Sequence, residues 1–492
     1  MQTTAANDDH LGTVARAPGV SRPAHSLDPG ECPSMKRTPQ VLASLVLAAV
    51  IAAACTNGDQ GGNDPTGAVA TSSASPSPSP TPPSPQELRA AELEARREAF
   101  PIIRGLYSTM HSFWGEKWDH LVKLVDTTEL NALVVDVREE PGNVAWEMEV
   151  EGHTPPVPGA GWDSPAEGLQ QLLDAGGYAI ARIVCMKDSW LAEQRPDLTI
   201  DNRATGGPLK GRDGWTWLDP WAMDVWEYCG AVGAEAIRAG FDEVQFDYVR
   251  FPNGGDADVS KLRFGHAPEG TPQARVQDPT AIWRGLNRAA EMVRAEGGYV
   301  SADLFGLTLY NYEWNVDGTG QLWEELAMVM DALSPMVYPS HYGVGNFGLL
   351  PHPVQHPYET IQGAMEEARV RSEGLRATIR PWLEDFGSPW MGSLSPPHSP
   401  GRVREQIQAV YDKGIESWLL WNATNRFSEE VFEAELVPRA KEWVPDPEQI
   451  PGAGPNTGWR IHQLPVGPDG RVVTELSEAP TESPSPTSGP TP

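Results

Sequence analysis

The chain has few cysteines, four in 492 residues. So few cannot staple a fold of this length, and the length is ample for an apolar core. Positive charge is also scarce: 37 Lys and Arg stand against 67 Asp and Glu, a formal net charge of −30. Such a surface repels phosphate backbones, which sets nucleic acid aside as a partner. No G-x-S-x-G serine occurs, no glycine-rich dinucleotide loop follows the first strand-like run, and no His or acid set has metal-site spacing. His352 and His356 lie four apart, but Pro353 separates them and no third ligand is near. No metal or other cofactor is therefore expected.

The longest apolar run is too short to span a bilayer. It sits in "MKRTPQVLASLVLAAVIAAAC" (35–55), where Lys36 and Arg37 precede the apolar stretch and small residues lead to Cys55. That is the layout of an export signal, and small residues before a cysteine resemble a bacterial lipoprotein signal. The expectation is lipidation at Cys55, with residues 1–34 an over-extended start. Residues 56–86 are rich in Pro and Ser and read as a disordered tether, and residues 446–492 read as a mostly disordered tail. The expected place is outside the cytoplasm, anchored to the cell membrane, with the chain a monomer. Cys185 and Cys229 remain, either a disulfide pair or two buried thiols.

Residues 87–445 alternate two periodicities. Strand-like runs occur at 102–108, 132–138, 179–186, 243–249, 299–305, 332–338, 377–383 and 416–422. Helical patterns separate them, such as "WAMDVWEYCGAVGAEAIRAG", which stops at Gly240. A further helical pattern, "SEEVFEAELVPRAKEW", follows the last run. Eight strands each followed by a helix predict a single-domain (β/α)8 barrel, with an open doubly wound sheet as the alternative.

One stretch, "FDEVQFDYVRFP" (241–252), carries a carboxylate inside a buried-looking strand. Barrel chemistry sits at the C-terminal ends of the strands. Alternation sends Val244 and Phe246 toward the helices and aims Gln245 and Asp247 into the barrel mouth. Asp303 shares the inward parity of Ser301 on the fifth strand. Asp136 lies on the second, Lys187 follows the third, and Tyr338 ends the sixth. Trp382, Glu384 and Asp385 belong to the seventh, and Asn422 ends the eighth. Arg250 and His341 follow Asp247 and Tyr338 as positioning or hydrogen-bonding residues. Asp242 and Glu243 open their strand on its far side and are expected to be solvated.

A mouth lined by acids, amides and aromatics suits glycosidic cleavage, which needs two carboxyl groups flanking the bond. Aromatic faces can cover the C–H faces of sugars, and two or three of Trp190, Trp215, Trp217, Trp314 and Trp390 are expected to do so. Asp247 and Asp303 are the first-choice catalytic pair, of retaining type, with Asp385 a third catalytic candidate. The other residues named form the substrate-binding set. The competing view of Asp247 is a structural acid tied to Arg250 or to a loop backbone. The competing view of the whole is a non-catalytic carbohydrate-binding lipoprotein on the same barrel.

"GFDEVQFDYVRFP", "VSADLFG", "GTGQLWEE", "LSPMVYPSHYG", "HPYETI", "IRPWLEDF" and "WLLWNATN" occur in this order. Together they closely resemble the bacterial putative glycoside hydrolase domain family, over about Ile103–Asn425. The resemblance implies an exported barrel distantly related to alpha-amylase-type enzymes, with a nucleophile ending strand four and an acid ending strand five. Asp247 and Asp303 match by position. The chain departs from the amylase pattern in carrying an aspartate at the acid position and Gln245 where an arginine is usual. The resemblance also favours Asp385 over Glu384, which stands where the family carries glutamine.

Overall fold

The computed structural model describes residues 100–158, 162–310 and 318–433. Eight parallel strands form its centre: β1 (Arg104–Ser108), β2 (Ala132–Arg138), β3 (Tyr178–Val184), β4 (Glu243–Asp247), β5 (Tyr299–Phe305), β6 (Ala332–Met336), β7 (Trp382–Glu384) and β8 (Trp418–Trp421). Each pairs with the next, and the circle closes where Leu419 of β8 is in register with Gly105 of β1 and with Trp382 of β7. Closure excludes the open doubly wound sheet. β6 and β7 meet at Met336 and Trp382, and the short segment Thr378–Ile379 extends that contact downward along β6.

Helices α1 (Gly115–Thr127), α2 (Ala166–Asp174), α3 (Met223–Ala239), α4 (Pro279–Ala295), α5 (Trp323–Val329), α6 (Pro357–Arg371) and α7 (Pro400–Asp412) fill the seven connections between strands. Local chemistry sets their ends. The Asp278 side chain accepts from Thr280 N–H at the start of α4. Gly240 takes φ 117° after α3, a conformation that favours glycine. After β8 only a short 3₁₀ turn, Glu429–Val431, is described, and the rest of the expected final helix lies outside the described residues. So do Cys55 and both tails. Among the described residues no helix is long and apolar enough to cross a membrane.

The strands are buried on both faces, as a parallel barrel requires. Their alternate residues divide between two apolar layers. Val135, Ile183, Val244, Phe246, Val300 and Ala302 face the helices. Val134, Ile180, Trp382 and Leu419 fill the interior, joined by Ile103 just before β1 and Tyr338 just after β6. Cys185 and Cys229 are both buried free thiols, and Arg138 Nη1 lies 3.6 Å from Cys229 Sγ.

The barrel floor corrects one expectation. Glu243 is fully buried rather than solvated. It forms an ion pair with Arg380, takes hydrogen bonds from Ser301 Oγ (2.5 Å) and Tyr178 Oη (3.3 Å), and points inward. Asp242 remains exposed. Just above, Gln245 Nε2 donates to Ser334 Oγ at 3.0 Å across the interior. This polar layer plugs the floor and leaves the C-terminal mouth as the open end.

Candidate functional site

Above that plug, β3 presents Arg182, the register partner of Gln245. Its guanidinium bridges two strands. Nη1 donates to Asp136 Oδ1 on β2 at 2.6 Å, and Nη2 and Nε donate to Asp247 Oδ2 on β4 at 2.5 and 3.0 Å. The Tyr107 hydroxyl donates a short hydrogen bond to Asp136 Oδ2. Trp421 and Tyr107 stack at 3.8 Å, and the guanidinium carbon lies 5.2 Å from the Trp421 ring centre. Directly after Asp247 the backbone turns left-handed at Tyr248 (φ 52°), and the Tyr248 N–H bonds Asp247 Oδ1 at 2.5 Å. A non-glycine residue in that region is uncommon and costs energy.

Asp303 of β5 is almost wholly buried. Its Oδ1 accepts from Trp382 Nε1 at 2.7 Å, and its Oδ2 lies 3.9 Å from Arg182 Nε. Burial first, and then the negative charge of Asp247, push its pKa well above the usual carboxylate range. Burial also raises Asp136, against the pull of Arg182. Glu139, in the loop after β2, is raised to about 7 by burial and by the charges of Asp136 and Glu140. Burial lowers His341, which favours a neutral imidazole.

These groups surround a cavity of about 500 Å³ at the barrel mouth. Of the residues expected from the sequence, Asp247, Asp303, Asp136, Arg250, Tyr338, His341 and Trp382 line it. The others lie outside its lining. Gln245 belongs to the floor. Lys187 pairs with Asp213 at 2.5 Å and stands over the ring of Trp217. Glu384 accepts from Ser340 Oγ at 2.6 Å. Asp385 accepts from His398 Nε2 and from Ser428 N–H, both at 2.8 Å. Asn422 ties its own loop to the Asp385 carbonyl. Arg250 bonds Asp256, not Asp247, and packs over Trp217 and Phe305.

Of the tryptophans singled out, Trp217 is buried and Trp390 exposed, and Trp314 lies outside the described residues.

Sequence reasoning missed Tyr107, Glu139, Glu140, Arg182, Tyr248 and Trp421, which also line the cavity. Arg182 was within reach of the parity argument, because it alternates inward with Ile180 in "AIARIVCM". A lone basic residue in an apolar run carries no local signal of the two acids it will meet.

A profile of the putative glycosyl hydrolase domain family matches residues 105–427, which span the barrel from β1 to beyond β8. The chain belongs to that family. The family places it among glycoside hydrolases, and the closed barrel fits. Among solved structures, the chain is 32% identical to a hypothetical protein from Ruminiclostridium thermocellum ATCC 27405. That match covers 40% of this chain and 96% of the other, with a TM-score of 0.33. It is 14% identical to the PgaB glycoside hydrolase domain from Bordetella bronchiseptica, covering 66% and 95%, TM-score 0.49. It is 13% identical to an alpha-galactosidase from Thermus thermophilus, covering 70% and 64%, TM-score 0.41. No curated protein matches the chain.

Proposed function

We propose that this protein is a retaining glycoside hydrolase acting outside the cytoplasm on an extracellular or cell-wall polysaccharide. Asp247 is the nucleophile and Asp303 the general acid/base. The observation that carries this reading is the asymmetry of the two aspartates. Asp247 is held by the Arg182 fork. Asp303, buried beside that charge, is pushed toward its protonated form. One environment suits a nucleophilic carboxylate and the other a proton donor.

The spacing agrees. Both Oδ2 atoms lie close to Arg182 Nε, at 3.0 and 3.9 Å. Laid end to end, those distances reach only the lower edge of the roughly 6.5–9.5 Å separation of inverting pairs, and the about 5–5.5 Å of retaining pairs falls inside them. In the first step Asp303 gives its proton to the glycosidic oxygen, the C–O bond breaks, and Asp247 bonds to the anomeric carbon. In the second, Asp303 takes a proton from water, whose oxygen replaces Asp247 at that carbon.

Arg182 positions Asp247 and disperses its charge, and Tyr338 and Trp382 supply aromatic walls for the sugar. Export, lipidation at Cys55 and the 56–86 tether set this domain at the membrane surface as a monomer.

The test is turnover. A reducing-end assay against bacterial and plant glycans should find a substrate, and Asp247→Asn should abolish its cleavage while binding persists. Near-normal activity in that variant refutes the assignment. The anomer released first, read by NMR, separates retention from inversion. Cys55→Ser should move the protein from the membrane fraction and change its processed mass. An unchanged distribution and mass speak against lipidation.

A further inference from the structure

The cavity does not end at its lining. Tyr338 and His341, in the loop after β6, belong to that lining. The Tyr338 ring packs edge-on against His341 at 5.2 Å and against Phe386 at 5.4 Å. Both of those rings meet Trp390, at 6.0 and 6.3 Å. Trp390 is 62% exposed, more than any other tryptophan among the described residues. Four rings thus run from the barrel mouth across the β6–β7 rim to open solvent.

A single exposed apolar side chain is ordinary and needs no explanation. Trp390 differs in being fixed in place and continuous with the site. It sits in Pro389–Leu394, two 3₁₀ turns that meet at a kink at Gly392 (φ 57°), and the Ser388 Oγ–Ser395 Oγ hydrogen bond closes the segment at 2.8 Å. Gln355 Nε2 donates to the Leu394 carbonyl at 3.2 Å and ties this loop to the one after β6. The loop after β2 lines the cavity with Glu139 and Glu140, while Tyr107, Tyr248 and Trp421 add rings deeper in the mouth. A sugar chain leaving the cavity therefore finds C–H-complementary faces on the β6–β7 side.

We infer that Trp390 is an outer sugar-binding platform and that the protein takes glycan chains several rings long, the chain running from the cavity over the β6–β7 rim. This rests on the reading of the cavity as a glycan site. It adds that affinity grows with chain length through an indole outside the cavity. His341, favoured neutral, stands between the two as a hydrogen-bonding partner for sugar hydroxyls along that path.

The experiment titrates the full-length Asp247→Asn protein calorimetrically with matched disaccharides and hexasaccharides of the cello-, malto-, xylo- and chito- series. For the series that binds, the hexasaccharide should bind about tenfold or more tighter than its disaccharide, the scale of covering one large apolar side chain. Adding Trp390→Ala should remove most of that advantage and shift the disaccharide by less than about twofold. Adding Trp390→Phe, which keeps a ring, should retain much of it, and this guards against a merely structural effect. Equal affinity for both lengths overturns the platform, and so does a length advantage that Trp390→Ala leaves intact, or binding by none of the four series. The catalytic reading fails separately, if Asp247→Asn cleaves at the native rate or if the native protein binds glycans without turnover. In either case the length ratio still decides the role of Trp390.

Discussion

The Arg182 guanidinium reaches Asp247 from the neighbouring strand, with Nη2 and Nε at 2.5 and 3.0 Å from the same Oδ2 oxygen. The same group also holds Asp136, so one buried cation serves two buried acids. Arg182→Met should destabilise the fold by about 3–5 kcal/mol, the usual cost of leaving buried charge unpaired. Arg182→Lys keeps the charge but loses the planar fork. It should recover much of the stability while kcat stays depressed at least about tenfold, measured by thermal denaturation beside a turnover assay. A lysine variant with native kcat would show that the fork has no part in placing Asp247.

Asp303 should reveal itself by leaving group. Asp303→Asn removes the proton donor but leaves Asp247 in place. Substrates with poor leaving groups should lose about 10²–10⁴-fold in rate, and activated aryl glycosides far less. The alkaline limb of the kcat/KM profile should vanish in the same variant, because the native acid must be protonated and loses its proton as pH rises. Equal losses on both substrate types would remove Asp303 from the role of acid.

Glu139 offers a pH test of stability. Its folded pKa is raised from 4.5 to about 7, so the native state holds that proton more tightly than the unfolded chain does. The associated stability is present below about pH 4.5 and is lost as pH climbs through 7. Glu139→Gln carries no such charge. Its stability relative to native should rise between pH 5 and 8, by about 1 kcal/mol once solvent screening of this half-buried group is allowed for. Melting curves at several pH values decide it, and a pH-independent difference would contradict the origin of the shift.

The Glu243–Arg380 pair at the barrel floor shares its hydrogen bonds with Ser301, below the cavity lining, although the Arg380 charge also acts on Asp303. Arg380→Met alone should cost about 3–5 kcal/mol because it strands Glu243 in the interior. Adding Glu243→Gln should return a large part of that loss, since the stranded charge is then gone. A double variant no more stable than the single one would mean that the loss comes from packing rather than from charge.

Local signals along the chain determine the barrel and the aim of two acids. Eight apolar runs with helical segments between them, punctuated by residues such as Asp278 and Gly240, are local signals, and local physics sets strand, helix and stop. Strand alternation is equally local, so it sends Asp247 and Asp303 inward without any knowledge of partners. The partners were decided only by the closed barrel. Arg182 precedes Asp247 by 65 residues and meets it only because β3 pairs with β4. Glu243 appears solvated at the start of its strand until Arg380, 137 residues later, faces it across the interior. Lys187, Asp385 and Asn422 have the same residue chemistry and the same strand-end positions as true cavity residues, yet nearby loops capture them through Asp213, Ser428 and the Asp385 carbonyl. Parity follows from the backbone alone. A charge's partner depends on what the fold brings within about 3 Å, and that distance is set by tertiary closure.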